Sequence, residues 1–298
     1  MCGIFLLIGA QASWAKDVPP PVPVDAVKSE SLAPPPGQRA STSNAPKYPV
    51  ARPTRVFSIP QSTTIPRPSK KPKYNGIEVA SLSIPSVSKD KIMILELFSS
   101  QACPFCPKAD SMMAGFIDKP DLIALSCHVD YFDVKKGSLS LPICSSRQIA
   151  YEGVLGLPKY TPQIVLNGAH DVVGYKQDEV RGTMQAAQET AAQRLKVKLG
   201  QKEGDFSVQL PDFQKGRYKI WVLAYDAAHQ VDVKDGANAG KAMTYYNVVS
   251  DTEYLGPWDG QANNLSFDLK LKAAAKGFAV LVQEEISSRI VLAGKFIK

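Results

Sequence analysis

The chain has four cysteines beyond residue 100, and two of them are spaced for chemistry: Cys103-Pro104-Phe105-Cys106. A Cys-x-x-Cys pair serves as a redox dithiol, as half of a zinc site or as a permanent bridge. No second paired-ligand motif accompanies it, so a zinc site lacks its other half. The flanks favour the dithiol. An apolar run, Ile92 to Phe98, ends just ahead of it, and a helix is expected over residues 103–117, with Pro104 in the first turn, where a missing N–H costs nothing. Backbone N–H groups at a helix start stabilise a thiolate. Cys103 is therefore expected to be the exposed, attacking sulfur, Cys106 the resolving one, and Lys108 an electrostatic aid.

Cys127 and Cys144 lack that spacing. They read as a second, stabilising disulfide, with two free buried thiols, or a pair that takes electrons from Cys103, as the alternatives. The run His128-Val129-Asp130-Tyr131-Phe132-Asp133 puts His128 and Asp130 on one strand face. A structural hydrogen-bonded pair is the favoured reading; a proton-handling pair and weak metal ligands beside Cys127 are the others. Thr161-Pro162 stands directly before a strand, where a cis-proline loop would present backbone to a substrate thiol or peptide.

The elements around these residues read β-α-β-α-β-β-α. Ile92 to Phe98 and Leu122 to Val129 are continuous apolar strands, Ser145 to Val154 a helix, and Asn167-Gly168 a hairpin turn between two strand-like runs; a helix from Gln177 to Arg194 follows. That order is the core of a thioredoxin-like α/β fold. From Leu195 the texture changes to short strands of period two, which predicts a separate all-β antiparallel sandwich. The expected organisation is a signal peptide over 1–15, a disordered linker over 16–88, a thioredoxin-like domain over 89–194 and a β-sandwich over 195–298. Ile4 to Ala10 form the apolar centre of the leader, and Ser13-Trp14-Ala15 its cleavage site. Fifteen of the 23 prolines lie between Pro19 and Pro85, in clusters that favour extended polyproline conformation over a packed core.

The net charge of +7 is local: residues 16–90 hold 11 Lys/Arg against 5 Asp/Glu, and the remainder is close to neutral. A basic tail on a neutral body argues against nucleic-acid binding and leaves a weak contact of the tail with a membrane or cell-wall surface. No cofactor and no metal are expected.

Further motifs carry a resemblance. Glu96-Leu97-Phe98-Ser99-Ser100-Gln101-Ala102-Cys103, Cys106-Pro107-Lys108-Ala109-Asp110 and the His128 run are three of them. Ser146-Arg147-Gln148, Tyr160-Thr161-Pro162-Gln163 and Val165-Leu166-Asn167-Gly168 are three more, and Asn238-Ala239-Gly240, Asn247-Val248-Val249 and Trp258-Asp259-Gly260 complete the set. Over about residues 90–298 the chain resembles a secreted bacterial thioredoxin-like family of unknown function. The resemblance implies a thioredoxin-like fold, the paired cysteines and export, but no substrate. The chain departs from that family's pattern in Pro104 and Phe105 between the cysteines, in Cys127 and Cys144, and in the long proline-rich tail.

The expected function is a periplasmic or secreted thiol–disulfide oxidoreductase acting on protein or small-molecule thiols and disulfides. Two alternatives remain. One is a non-enzymatic binding module working through residues 195–298; the other is copper handling by Cys103, Cys106 and His128.

Overall fold

The computed structural model describes residues 73–74, 77–78, 84–132 and 137–298. The leader expected over 1–15, most of the proline-rich stretch and Asp133 lie outside the described residues. A two-residue pair, β1 (Lys73–Tyr74) and β2 (Ile77–Glu78), precedes the main body.

β3 (Lys91–Ser99) and β4 (Leu122–His128) pair in parallel and are buried along almost their whole length, as continuous apolar runs require when both faces are covered. α1 (Cys106–Met112) connects them and continues as a 3₁₀ turn over Met113–Gly115. α2 (Pro142–Leu155) starts on a proline and stops at Gly156, whose left-handed φ of 68° suits glycine. β5 (Gln163–Leu166) and β6 (His170–Val173) form the hairpin. Its turn residues have φ of 52° at Asn167 and 67° at Gly168, the mirror-image turn that matches strand twist. Asn167 also accepts from the Ile94 N–H at 2.8 Å and donates to the Ala187 carbonyl at 2.8 Å, so the turn is locked to β3 and to the end of α3 (Gln177–Ala186).

The sheet corrects the expected thioredoxin-like fold. It has nine strands, and most come from beyond residue 190. β7 (Ala192–Arg194), β10 (Tyr218–Asp232), β11 (Ala242–Trp258), β13 (Ala275–Glu284) and β14 (Ile290–Ile297) all join it. The order is β4-β11-β10-β13-β14-β7-β3-β5-β6, and β4 also pairs with β3. Seven strands from β3 round to β4 therefore close into a ring, from which β5 and β6 branch. The joints are short: Val248 opposite Ser126 between β11 and β4, and two residue pairs on each side of β7.

No boundary falls at residues 194 and 195, and residues 195–298 are not a separate sandwich. The strands expected there are present as period-two elements, but their sheet is completed by β3 and β4. Only β8 (Val197–Leu199), β9 (Asp205–Leu210) and β12 (Asn263–Asp268) form a sheet of their own, which packs on the outer face of β10 and β13. One core cluster joins Ile94 and Leu125 to Leu223 and Leu281 across the expected boundary. A second lies on the opposite face of β3, under α1 and α3. Among the described residues no helix is long and apolar enough to cross a membrane.

A buried electrostatic pin fixes α2 to the sheet. The Arg147 guanidinium donates to both carboxylate oxygens of Glu96, at 2.8 and 3.0 Å. Tyr151 donates to the same carboxylate and accepts from Gln283 on β13 at 3.1 Å. A disulfide between Cys127 and Cys144 adds a covalent link from β4 to the first turn of α2. It closes a separation of 17 residues, and a loop of that size contributes about 3 kcal/mol. Cys127→Ala combined with Cys144→Ala should lower the urea-unfolding free energy by about that amount. An unchanged midpoint would remove the bridge as a stabilising element.

Candidate redox site

β3 ends at Ser99, and Ser100 to Phe105 make a tight passage into α1. The Cys103 N–H donates to the Ser100 carbonyl at 3.2 Å, and the Cys106 N–H to the Cys103 carbonyl at 3.4 Å. Phe105 is the N-cap, so the helix starts at Cys106 and not, as expected, at Cys103. Cys103 sits in the turn before it. It is also less open than expected, with 4% of its surface exposed, and Cys106 has none. Both are free thiols.

The two sulfurs are tuned in opposite directions. Cys103 is drawn down to about 6. The Cys106 thiol is the main cause, helped by Thr161 and by the N–H groups of Phe105 and Cys106, against the opposing cost of burial. The N–H groups of the turn thus contribute what was expected of a helix terminus. Burial pushes Cys106 strongly up, reinforced by its hydrogen bond to Cys103 and by the charges of Asp110 and Cys103. Lys108 is exposed and is not among the groups that set either thiol.

The Cys103 thiol lies 3.6 Å from the Thr161 carbonyl, and the Thr161–Pro162 peptide is cis. Thr161 thus lies beside Cys103, and Pro162 follows it in the chain. α2 holds this loop in place through Gln148, which donates to the Tyr160 carbonyl at 2.7 Å and to Gln163 at 2.8 Å. Aromatic rings flank the turn: exposed Phe105 stacks on half-buried Tyr175, with centroids 5.6 Å apart, and exposed Tyr131 leans on exposed Phe132 at 4.8 Å.

His128 and Asp130 do not form the expected pair. His128 is buried edge-on against Tyr245, with neither ring nitrogen bonded among the described residues. Burial, and secondarily the charge of His229, push it down to about 3, so it stays neutral. Asp130 turns to α2 instead, accepting from the Ser145 hydroxyl at 2.5 Å, while its N–H donates to the same oxygen at 3.0 Å. Cys127 points to the α2 side of the sheet, whereas α1 packs on the other side, so the bridge and the dithiol occupy opposite faces. No three metal-ligating side chains converge among the described residues.

Two residues without an expected role belong to the site. Asp110, one turn after Cys106 on α1, is 2% exposed, and neither of its carboxyl oxygens has a full hydrogen-bond partner among the described residues. Burial pushes it up to about 8; the Ser99 hydroxyl opposes the shift and the charge of Cys103 adds to it. Its signals in the sequence were the i, i+4 spacing from Cys106 and its place at the end of the Cys106-Pro107-Lys108-Ala109-Asp110 motif. Asn238, on the tip of the β10–β11 hairpin, donates to the Gln101 carbonyl at 3.0 Å and to the Cys103 carbonyl at 2.7 Å. No local pattern could reveal a contact that spans 135 residues.

These features define a mostly β protein, not the expected α/β one, whose Cys-x-x-Cys turn is completed by strands from beyond residue 190. The chain belongs to the family described as protein of unknown function (DUF1223), whose model matches residues 94–283. A protein of Agrobacterium tumefaciens known from its crystal structure is 27% identical, with a TM-score of 0.58; the match covers 70% of this chain and 95% of that one. HBP35 of Porphyromonas gingivalis is 15% identical, with a TM-score of 0.52, over 71% of this chain and 76% of that one, a likeness of fold alone. No curated protein matches the chain.

Proposed function

We propose that this protein is a thiol–disulfide oxidoreductase using Cys103 and Cys106. The observation that carries the reading is a pair of adjacent free thiols in the turn that starts α1, with the Thr161 carbonyl 3.6 Å from Cys103; the surroundings draw Cys103 down to about 6 and push Cys106 up. A thiolate at neutral pH beside a thiol that donates to it is the arrangement needed for attack followed by resolution.

The chemistry takes two steps. The Cys103 thiolate attacks one sulfur of a substrate disulfide, forms a mixed disulfide and expels the other sulfur as thiolate. Once the Asp110 carboxyl is ionised, towards pH 8, Cys106 gives it its proton and attacks the Cys103 sulfur. The Cys103–Cys106 bond forms, and the second substrate thiolate leaves. Two electrons pass from the dithiol to the substrate, and reversal of the same steps oxidises a substrate dithiol. The Thr161 carbonyl and the neighbouring Pro162 border the attacking sulfur and form the substrate-binding edge. The leader-like start and the Cys127–Cys144 bridge support action in the periplasm or outside the cell.

Cys106→Ser removes resolution and leaves attack intact. The full-length variant, incubated with periplasmic extract, should accumulate adducts that dithiothreitol releases, and Cys103→Ser should form none. Absence of adducts with Cys106→Ser would overturn the reading.

A further inference from the structure

We propose that Asn238 is a positioning residue of the dithiol turn, so that the β10–β11 hairpin tip sets the reactivity of Cys103. The proposal rests on the redox reading of Cys103 and Cys106 and goes beyond it, because it makes a residue 135 positions away part of the working site.

The Asn238 side chain is fully buried, and both its amide nitrogen and its oxygen are hydrogen-bonded. Its amide nitrogen donates to the carbonyls of Gln101 and Cys103, and its oxygen accepts from the Lys241 ammonium at 2.9 Å. The Cys103 carbonyl is also the acceptor that closes the turn to the Cys106 N–H, a long bond of 3.4 Å that is weak by itself. Asn238 therefore holds the turn from outside at its key atom. With that carbonyl fixed, the N–H groups of Phe105 and Cys106 are left facing the Cys103 sulfur. A loosened turn would let those groups rotate towards water, and the thiolate would lose them.

A second contact points the same way. Gly236 has φ of 77°, and a Cβ there would lie 3.0 Å from both Cα and Cβ of Ala102. The tip backbone is thus pressed against the residue preceding Cys103, so closely that an added Cβ would force one of the two to shift. The tip itself is braced by the Val233 and Lys241 backbones, which bond at 3.0 Å. It reaches the turn as a stiff end of two long strands, not as a loose loop.

The test is the pH profile of Cys103 alkylation by iodoacetamide in the reduced full-length protein, followed by mass spectrometry. Wild type should titrate near 6. Asn238→Ala should move the midpoint up by at least one pH unit, about a fivefold loss of thiolate at pH 6. Gly236→Ala changes no hydrogen-bonding group but pushes the tip away, and should shift the midpoint in the same direction by at least threefold in thiolate content. Circular dichroism checks that each variant folds, and Gly236→Ala decides alone if Asn238→Ala does not. A wild-type midpoint at the ordinary thiol value of about 8.5 would sink the redox reading itself. A low wild-type midpoint that stays low in the folded variants would overturn the positioning role and leave the dithiol reading intact.

Discussion

Asp110→Asn should make the protein more stable and less active in the same stroke. The unfolded carboxyl ionises near its ordinary 3.8, whereas the folded one keeps its proton up to about 8. Between those values the folded state binds more protons than the unfolded state. Wild-type stability therefore falls as the pH rises from about 4 to about 8 and levels off above that. Asparagine has no proton to lose, so the slope disappears. Each tenfold difference in proton affinity between the folded and unfolded states is worth about 1.4 kcal/mol, so the variant should gain a few kcal/mol over wild type at pH 8 and nothing at pH 3. Urea unfolding at the two pH values checks this, and equal stability of variant and wild type at pH 8 would refute the buried, proton-holding carboxyl. The same change removes the acceptor for the Cys106 proton. Disulfide exchange should slow by about a hundredfold, the lower end of what general-base loss costs, and the limb of the rate profile near pH 8 should vanish. Stability given up at a working group is a common trade in enzymes.

Arg147→Met should cost about 3–5 kcal/mol, because it strands the Glu96 carboxylate in the core without its partner. The pair is nearly sealed, with side-chain exposures of 6% for Arg147 and 1% for Glu96. Adding Glu96→Gln to Arg147→Met should restore a good part of that loss, since the remaining amide costs less to bury than a charge. Denaturant unfolding of the single and double variants measures both quantities. A single variant as stable as wild type would show that the bridge is solvated. The loss should also reach the dithiol, since Gln148 beside Arg147 holds the loop that carries Thr161.

What could be read from the sequence was local. Asn167-Gly168 announces its turn by residue type, and the Ile92 to Phe98 run announces a doubly covered strand. Cys103 and Cys106 stand out by spacing alone, and Thr161-Pro162 by its place before a strand. The helix start slipped by three residues because Cys103 closes a turn with Cys106 ahead of the helix. β11 went unread because Gly256 and Pro257 interrupt its pattern near one end. The larger miss was the fold. A period of two shows that Lys219 to Tyr225 is a strand, but not that its neighbour β11 lies beside β4. Pairing across more than a hundred residues is decided by surfaces that meet only in the finished core. His128 and Asp130 illustrate the same limit: alternation placed them on one face, and the packing of Tyr245 and Ser145 drew them apart.

The ring of seven strands has a consequence for how the chain is made. β14, the last strand of the ring in chain order, stands between β13 and β7, and β7 in turn pairs with β3. Synthesis runs from the N-terminus, so the first long strand waits for the last one before its circuit can be completed. Until Ile290 to Ile297 are free, Ile92 and its neighbours have no finished wall to pack against, and the emerging polypeptide stays open. Closure of the circuit is therefore tied to the making of its last strand.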